Sequence, residues 1–373
     1  MQETENAPAW WQIPVQTRNE RFTSGNPADY PTPSPIQAEW KFSPIDLLNP
    51  LLEAKTTDTY EFKVTGATAE WADSKAYRGH AGIPEEIFSA KAWESTTKSL
   101  VLEIAGEGEP VFLSRTIEGQ IAAHTVIIAK PNSKRTVIIR NSGTGSIIEN
   151  LEVVVSDGAS LNLVHLNDFA GTAIQLASHF SKLEKSAELN YFHLNLGGKI
   201  VRVNPNIYLD GEHSTGRAYG ASLVNPGEFL ENRVFIHHHG KKATSDVLFK
   251  NVLLGDGSRS VWVGDVLIGP GASGTNSYEA NRNLLLSDKA RADSIPNLEI
   301  ETGDIEGAGH ASATGRLDDE QLFYLQSRGI GEIEARRLVS LGFLVEILGK
   351  IGQPEFETEI EYRFAEILDG EPK

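Results

Sequence analysis

A short pattern that occurs twice, once from Ala159 and again from Ala187, constrains this chain more than any other feature. Ala159-Ser160-Leu161-Asn162 leads to His165-Leu166-Asn167, and Ala187-Glu188-Leu189-Asn190 leads to His193-Leu194-Asn195. Both read A-x-L-N-x-x-H-L-N. A repeat at that spacing is what a coiled β solenoid produces, because each turn restacks the same strand on its predecessor. The surroundings agree. From Thr125 to about Ile305, short apolar runs such as TVIIAK, LEVVVSD, RVFIHHH and SVWVGDVLIG alternate with Gly, Asp, Asn and Ser turns. Strands at regular spacing also suit a β-sandwich, and the echo favours the solenoid.

The flanks have a different texture. Up to about residue 60 the chain is Pro-rich, and PADYPTPSPIQ reads as extended, since proline fixes φ and lacks a donor. Leu47, Leu48, Leu51 and Leu52 predict a helical turn or two, broken or kinked at Pro50. Gly82 to Thr97 reads as a helical or irregular interruption between early strands. After Gly315 the pattern becomes helical. Asp318 or Asp319 is placed to cap DEQLFYLQSR, with Gly329 as its C′ residue. Ile333, Arg337, Leu338 and Leu341 form one stripe before Gly342. Leu344, Ile347, Leu348 and Ile351 form a second, and Phe356, Ile360, Phe364 and Ile367 a third. Three or four short helices are expected.

Composition excludes several classes. With 34 basic against 51 acidic residues, the formal charge is −17, which disfavours nucleic acid and anionic membrane surfaces. There is no cysteine, hence no disulfide, no thiol nucleophile and no thiolate metal site on this chain. No apolar run approaches membrane-spanning length. MQETENAPAWWQIPVQ lacks the basic and apolar regions of a signal peptide, so the cytoplasm is the expected address. No G-x-x-x-x-G-K-[ST] or G-x-S-x-G occurs, so neither a P-loop ATPase nor an α/β-hydrolase is expected.

The histidines sort by context. His165 and His193 hold equivalent places in the echo and read as stacked ladder residues, with a metal site as the alternative. In His237-His238-His239 the outer two share one face of a strand. The triplet lacks carboxylates nearby in sequence and reads as a solvated strand end that could take a stray metal. His310 sits in GAGHASATG, a small-residue turn between the last strand and the first helix. Upstream, Leu298-Glu299-Ile300-Glu301 alternates, which puts both glutamates on one face. Imidazole and carboxylate are competent iron ligands. From the residues alone, a turn histidine beside a solvated acidic face is the better account of the pattern.

Asn281 to Ile330, with NRNLLLS, GAGHASATG and DDEQLFYLQSRGI, resembles the C-terminal core of the SufB/SufD family, the scaffold subunits of SUF iron–sulfur cluster assembly. Glu39-Trp40-Lys41-Phe42 resembles an N-terminal motif of the SufD branch, and the absence of cysteine also favours that branch. The resemblance implies a mainly β protein. It would have an irregular, partly helical N-terminal region (1–110), a right-handed parallel β-helix (111–310) and a C-terminal helical domain (311–373). It implies a non-enzymatic scaffold in a SufB–SufC–SufD complex, with a SufB-like subunit and a SufC-like ABC ATPase as partners. Against the family signature, His310 matches the histidine implicated in nascent-cluster assembly, and Ala308 falls where many relatives carry cysteine. His310, as a metal ligand, with Glu299 and Glu301, is the implied cluster interface. Phe323, Tyr324, Leu325 and Arg328 are the implied ATPase-docking residues. The chain itself would hold no cofactor stably, only a transient cluster shared with the SufB-like partner. Whether it binds flavin or iron, or forms a homodimer when isolated, is left open. Two alternatives are an exported-type β-helix enzyme such as a polysaccharide lyase, and a homo-oligomeric structural β-helix.

Overall fold

The computed structural model describes residues 22–317 and 319–370. The capping expected of Asp318 and of the Asp319 side chain, and the N-terminal stretch read for a leader, lie outside what is described. Two nine-stranded sheets face each other. The first runs, in spatial order, β1 (Glu61–Thr65), β4 (Val111–Ile117), β6 (Lys134–Gly143), β8 (Ser160–Phe169), β10 (Glu188–Gly197), β12 (Thr215–Val224), β14 (Thr244–Leu253), β16 (Thr275–Leu285) and β18 (Ile305–Arg316). The second runs β17 (Arg291–Ile300), β15 (Arg259–Ile268), β13 (Phe229–His238), β11 (Ile200–Leu209), β9 (Ile174–Leu183), β7 (Ser146–Val155), β5 (Gln120–Ala129), β3 (Lys98–Ile104) and β2 (Ala69–Asp73).

Successive strands therefore alternate between the sheets, and the chain coils through about 8 turns. Stacked strands pair in parallel, except for β1 on β4 and β2 on β3 at the first end, which are antiparallel. The sequence echo is this stacking: Ser160 lies against Glu188, Asn162 against Asn190 and His165 against His193. The turn length varies along the coil, since Ile174 stacks on Ile200 whereas Thr244 takes the longer step to Asn276. At one corner, Asn132, Gly158, Ser186, His213, Lys242 and Gly274 all take positive φ, a left-handed step that closes each turn.

Three apolar layers hold the coil. Inside the lumen, Leu113, Ile139, Leu163, Leu189, Val247 and Trp262 join one buried cluster with residues of the facing sheet. Outside the first sheet, Val164, Leu194, Tyr219 and Val252 pack under Leu344, Ile347, Phe356, Ile360 and Phe364. These five belong to helices α4 (Glu332–Leu348) and α5 (Pro354–Leu368). Outside the second sheet, the N-terminal segment lays Trp40, Leu48, Leu51 and Phe88 on Ile148, Leu176 and Val261. Leu48 ends helix α1 (Ile45–Leu48), and a 3-10 turn with Pro50 follows. Phe88 belongs to helix α2 (Ile87–Ser95), whose first amides donate to the Glu86 carboxylate at 2.8 and 2.6 Å.

Two local expectations are corrected. The GAGHASATG segment is not a turn: residues 307–315 lie within β18, which the β16 ladder holds extended despite their small side chains. Strand structure therefore continues past residue 310, and the helices begin only with α3 (Asp319–Ser327). Gly342 does not end a helix either. The first stripe and the second as far as Leu348 share α4, whose one buried face makes interior glycine tolerable; Ile351 follows the helix. Gly329 does take the positive φ of a C′ residue. No described helix is long and apolar enough to cross a membrane.

Candidate functional site

Two polar regions interrupt the apolar lumen: one midway along it and one at its last turn. The last turn is open. β17 and β18 each end a sheet, so each leaves one row of backbone donors and acceptors unpaired among the described residues. Every second residue of a strand faces inward. Ala308 packs on the lumen cluster, and Thr314 Oγ1 is 3.1 Å from Asn283 Nδ2. His310, on the same alternating row, therefore faces the lumen from its open rim, where it is exposed.

His310 stacks directly on Glu279 of β16. Glu279 is 1% exposed, and neither carboxyl oxygen has a hydrogen-bond partner among the described residues. Its room comes from Gly264, where a Cβ would lie 2.3 Å from Glu279 Oε2. Burial and then the nearby Asp265 charge push the Glu279 carboxyl up to about 8, against the lowering effect of the Asn297 backbone. Trp262 Nε1, buried close by, also lacks a partner among the described residues. Deeper in the same turn, Ser294 Oγ and Asn283 Nδ2 both donate to Asn281 Oδ1 at 2.7 Å. Glu279 is a residue that sequence reasoning missed. The inward alternation of Ser277, Glu279 and Asn281 was its signal.

The structure does not bring the expected acidic residues to His310. Leu298 packs into the lumen cluster, so Glu299 faces outward from β17, and Glu301 follows that strand on the exposed side. The alternation was read correctly. What placed the glutamates outside was which of its two faces the second sheet turned inward.

The midway region is fully buried. Arg115 donates to Glu149 Oε2 at 2.8 Å and to Asn141 Oδ1 at 2.7 Å. Gln175 Nε2 donates to Glu149 Oε1 at 2.8 Å, and His165 Nε2 lies 3.4 Å from the same oxygen. Asn167 joins Asn141, Gln175 and His193 at 3.1, 2.5 and 3.2 Å, and His179 Nδ1 meets the Tyr191 hydroxyl at 2.8 Å. His165 and His193 are thus stacked ladder residues, ring centroids 5.8 Å apart. Burial, then the neighbouring His179, pushes the His165 imidazole down to about 4. Burial alone would raise the Glu149 carboxyl, but the Arg115 charge and the histidine bonds hold it well below its ordinary value.

Ligand atoms of Glu149, His165 and His179 lie within 4.8 Å of one another, a metal-competent set by residue type. However, Arg115 already neutralises the carboxylate. A dication would add uncompensated charge to a closed interior, so the geometry fits a hydrogen-bonded seam better than a metal centre.

On the helical side, Phe323 and Tyr324 of α3 are 72% and 57% exposed, with the Arg328 guanidinium 5.2 Å from the Tyr324 ring centroid. Leu325 is half-buried, and Leu322 is the residue of this turn that packs inward.

A family profile described as SUF system FeS cluster assembly, SufBD core domain, matches residues 112–343. The chain is 37% identical over 364 residues to an iron–sulfur cluster assembly SufBD family protein of Mycobacterium tuberculosis, covering 93% of this chain and 92% of that one. It is 30% identical over 251 residues to the iron–sulfur cluster assembly protein SufD of Bacillus subtilis, covering 65% and 56% of the two chains. The SufD protein of Escherichia coli is 31% identical over 175 residues, 47% of this chain and 41% of that one.

Proposed function

The chain belongs to the SufB/SufD family of the SUF iron–sulfur cluster assembly system, and from that premise we propose that it is a SufD-like scaffold subunit that is not itself an enzyme. The observation that carries this reading is the open last turn. An unpaired strand edge on each sheet is a template for another chain's strands, since backbone groups without partners there gain them on pairing. A SufB-like subunit with a matching solenoid end would continue both ladders and close the lumen over His310.

The chain has no thiolate, and clusters are held largely by thiolates. The SufB-like partner would therefore supply sulfur ligands, while this chain supplies one imidazole facing the shared space. Glu279, one turn deeper, adds a carboxyl with free acceptor capacity beside the cargo. The exposed aromatic pair Phe323–Tyr324 is an anchor of the type enriched at protein interfaces. It would receive a SufC-like ATPase, whose movement would reach the solenoid junction through α4 and α5. Iron and sulfide are the cargo, and the chain retains neither by itself.

His310→Ala tests the reading. The variant should assemble with both partners as the parent does, yet build far less cluster under anaerobic reconstitution with iron and a sulfur donor, followed by visible absorption. An undiminished cluster yield on the intact complex would remove His310 from the mechanism.

A further inference from the structure

A second group of histidines lies on the outer face of the second sheet, at the end of β13. His238 points inward, with Nε2 2.9 Å from Ser245 Oγ. Its neighbours His237 and His239 point outward together, their ring centroids 3.6 Å apart and the planes at 49°. One turn earlier in the stack, Asp210 follows β11 and meets His239, with Oδ1 2.6 Å from Nδ1. A carboxylate at that distance is served by an N–H on Nδ1, which leaves the lone pair on Nε2. This is how proteins orient a metal-bound imidazole: the far nitrogen donates to a carboxylate and the near one faces the ion.

The next turn stacks Leu267 on His237 but leaves His239 exposed. Its corner is Gly269-Pro270-Gly271, and a Cβ built on Gly269 would stand 3.7 Å from His237 Nε2. Glycine there places no side chain against that nitrogen. The His239 side chain is 46% exposed, so an ion reaches the pair directly from solvent. Lys182 Nζ, 3.8 Å from Asp210 Oδ2, balances the carboxylate. Two imidazole nitrogens are the donors, and imidazole pairs select late first-row metals over magnesium or calcium.

We propose that His237 and His239 form a two-imidazole clamp for a divalent transition-metal ion of the zinc type, with Asp210 as the outer carboxylate and solvent completing the coordination. The clamp is separate from His310 and stands whether or not the scaffold reading does. With two protein ligands instead of the four of a structural zinc site, it is an open, exchangeable site.

Calorimetric titration of the metal-free full chain with Zn2+ tests it. The wild type should take up one equivalent saturably. His237→Ala and His239→Ala should each abolish that event, and Asp210→Ala should weaken it about 10–100-fold, the usual effect of losing such an outer partner. His310→Ala should titrate like wild type. Loading with Cu2+ should give electron paramagnetic resonance hyperfine structure from two imidazole nitrogens. Melting curves of the metal-free variants should match wild type; a His→Gln replacement serves wherever an alanine lowers the melt. No saturable uptake by wild type, uptake that survives in His237→Ala/His239→Ala, or loss of it in His310→Ala would each overturn the proposal.

Discussion

Among the described residues, the lumen contains two buried carboxylates in opposite circumstances. Glu149, midway along the coil, has a guanidinium on one oxygen and an amide on the other. Glu279, one turn from the open end, has neither. The first sits where stacked turns close both sides and charge must be matched inside one chain. The second sits beneath an exposed rim that no further described strand covers. A buried, unmatched acid costs free energy, so its survival at the rim and not midway marks the end of the coil as the unfinished part of the molecule.

Substitution should separate the two sharply. Arg115→Ala leaves the Glu149 charge buried without its cation and should destabilise by about 3–5 kcal/mol, measured by chemical denaturation. Glu279→Leu should do the reverse in the isolated chain, raising stability by roughly 1–3 kcal/mol. A Glu279→Leu variant as damaged as Arg115→Ala would show that the acid is matched after all.

Acid–base behaviour sharpens the contrast, because the two regions titrate with opposite sign. The His165 pKa is lowered in the fold, from 6.5 to about 4. Between those values the unfolded chain binds more protons, so stability should fall as pH drops from about 6.5 to 4. The Glu279 pKa is raised, from 4.5 to about 8. Across that window the folded chain binds more protons, so this contribution is lost as pH rises. Melting temperature against pH should therefore pass through a maximum. Glu279→Gln should flatten the limb above pH 6.5 and leave the His165 rise below it unopposed, and an unchanged limb would show that Glu279 is charged in the fold.

The smallest expected effect lies outside the lumen. Phe323→Asp, at an exposed helix position, should change stability by less than about 0.5 kcal/mol. It should nevertheless weaken capture of a SufC-like ATPase in co-purification. Undiminished capture would remove Phe323 from the docking surface.

How much of this was legible in the residues depends on range. The echo placed His165 on His193, and three apolar stripes placed helices α4 and α5, because each pattern reports a periodicity of one element or one repeat. The strand character of residues 307–315 was not legible. Glycine, alanine and serine carry little strand preference of their own, and it is the β16 ladder that extends them. The outward turn of Glu299 was hidden for a related reason, since alternation defines two faces but not which one a facing sheet will bury.

By itself, then, the sequence determined that this chain coils in repeated β turns, continues into helices, and lacks thiol chemistry. Only the tertiary structure decided which distant residues became neighbours. Asp210 reaches His239 from the preceding turn, and Glu279 lies under His310 across a ladder whose register shifts at Thr275. Such pairings depend on how many residues each particular turn spends at its corners. That number changes along the coil, from the short step between Ile174 and Ile200 to the long one between Thr244 and Asn276, and no local pattern sets it.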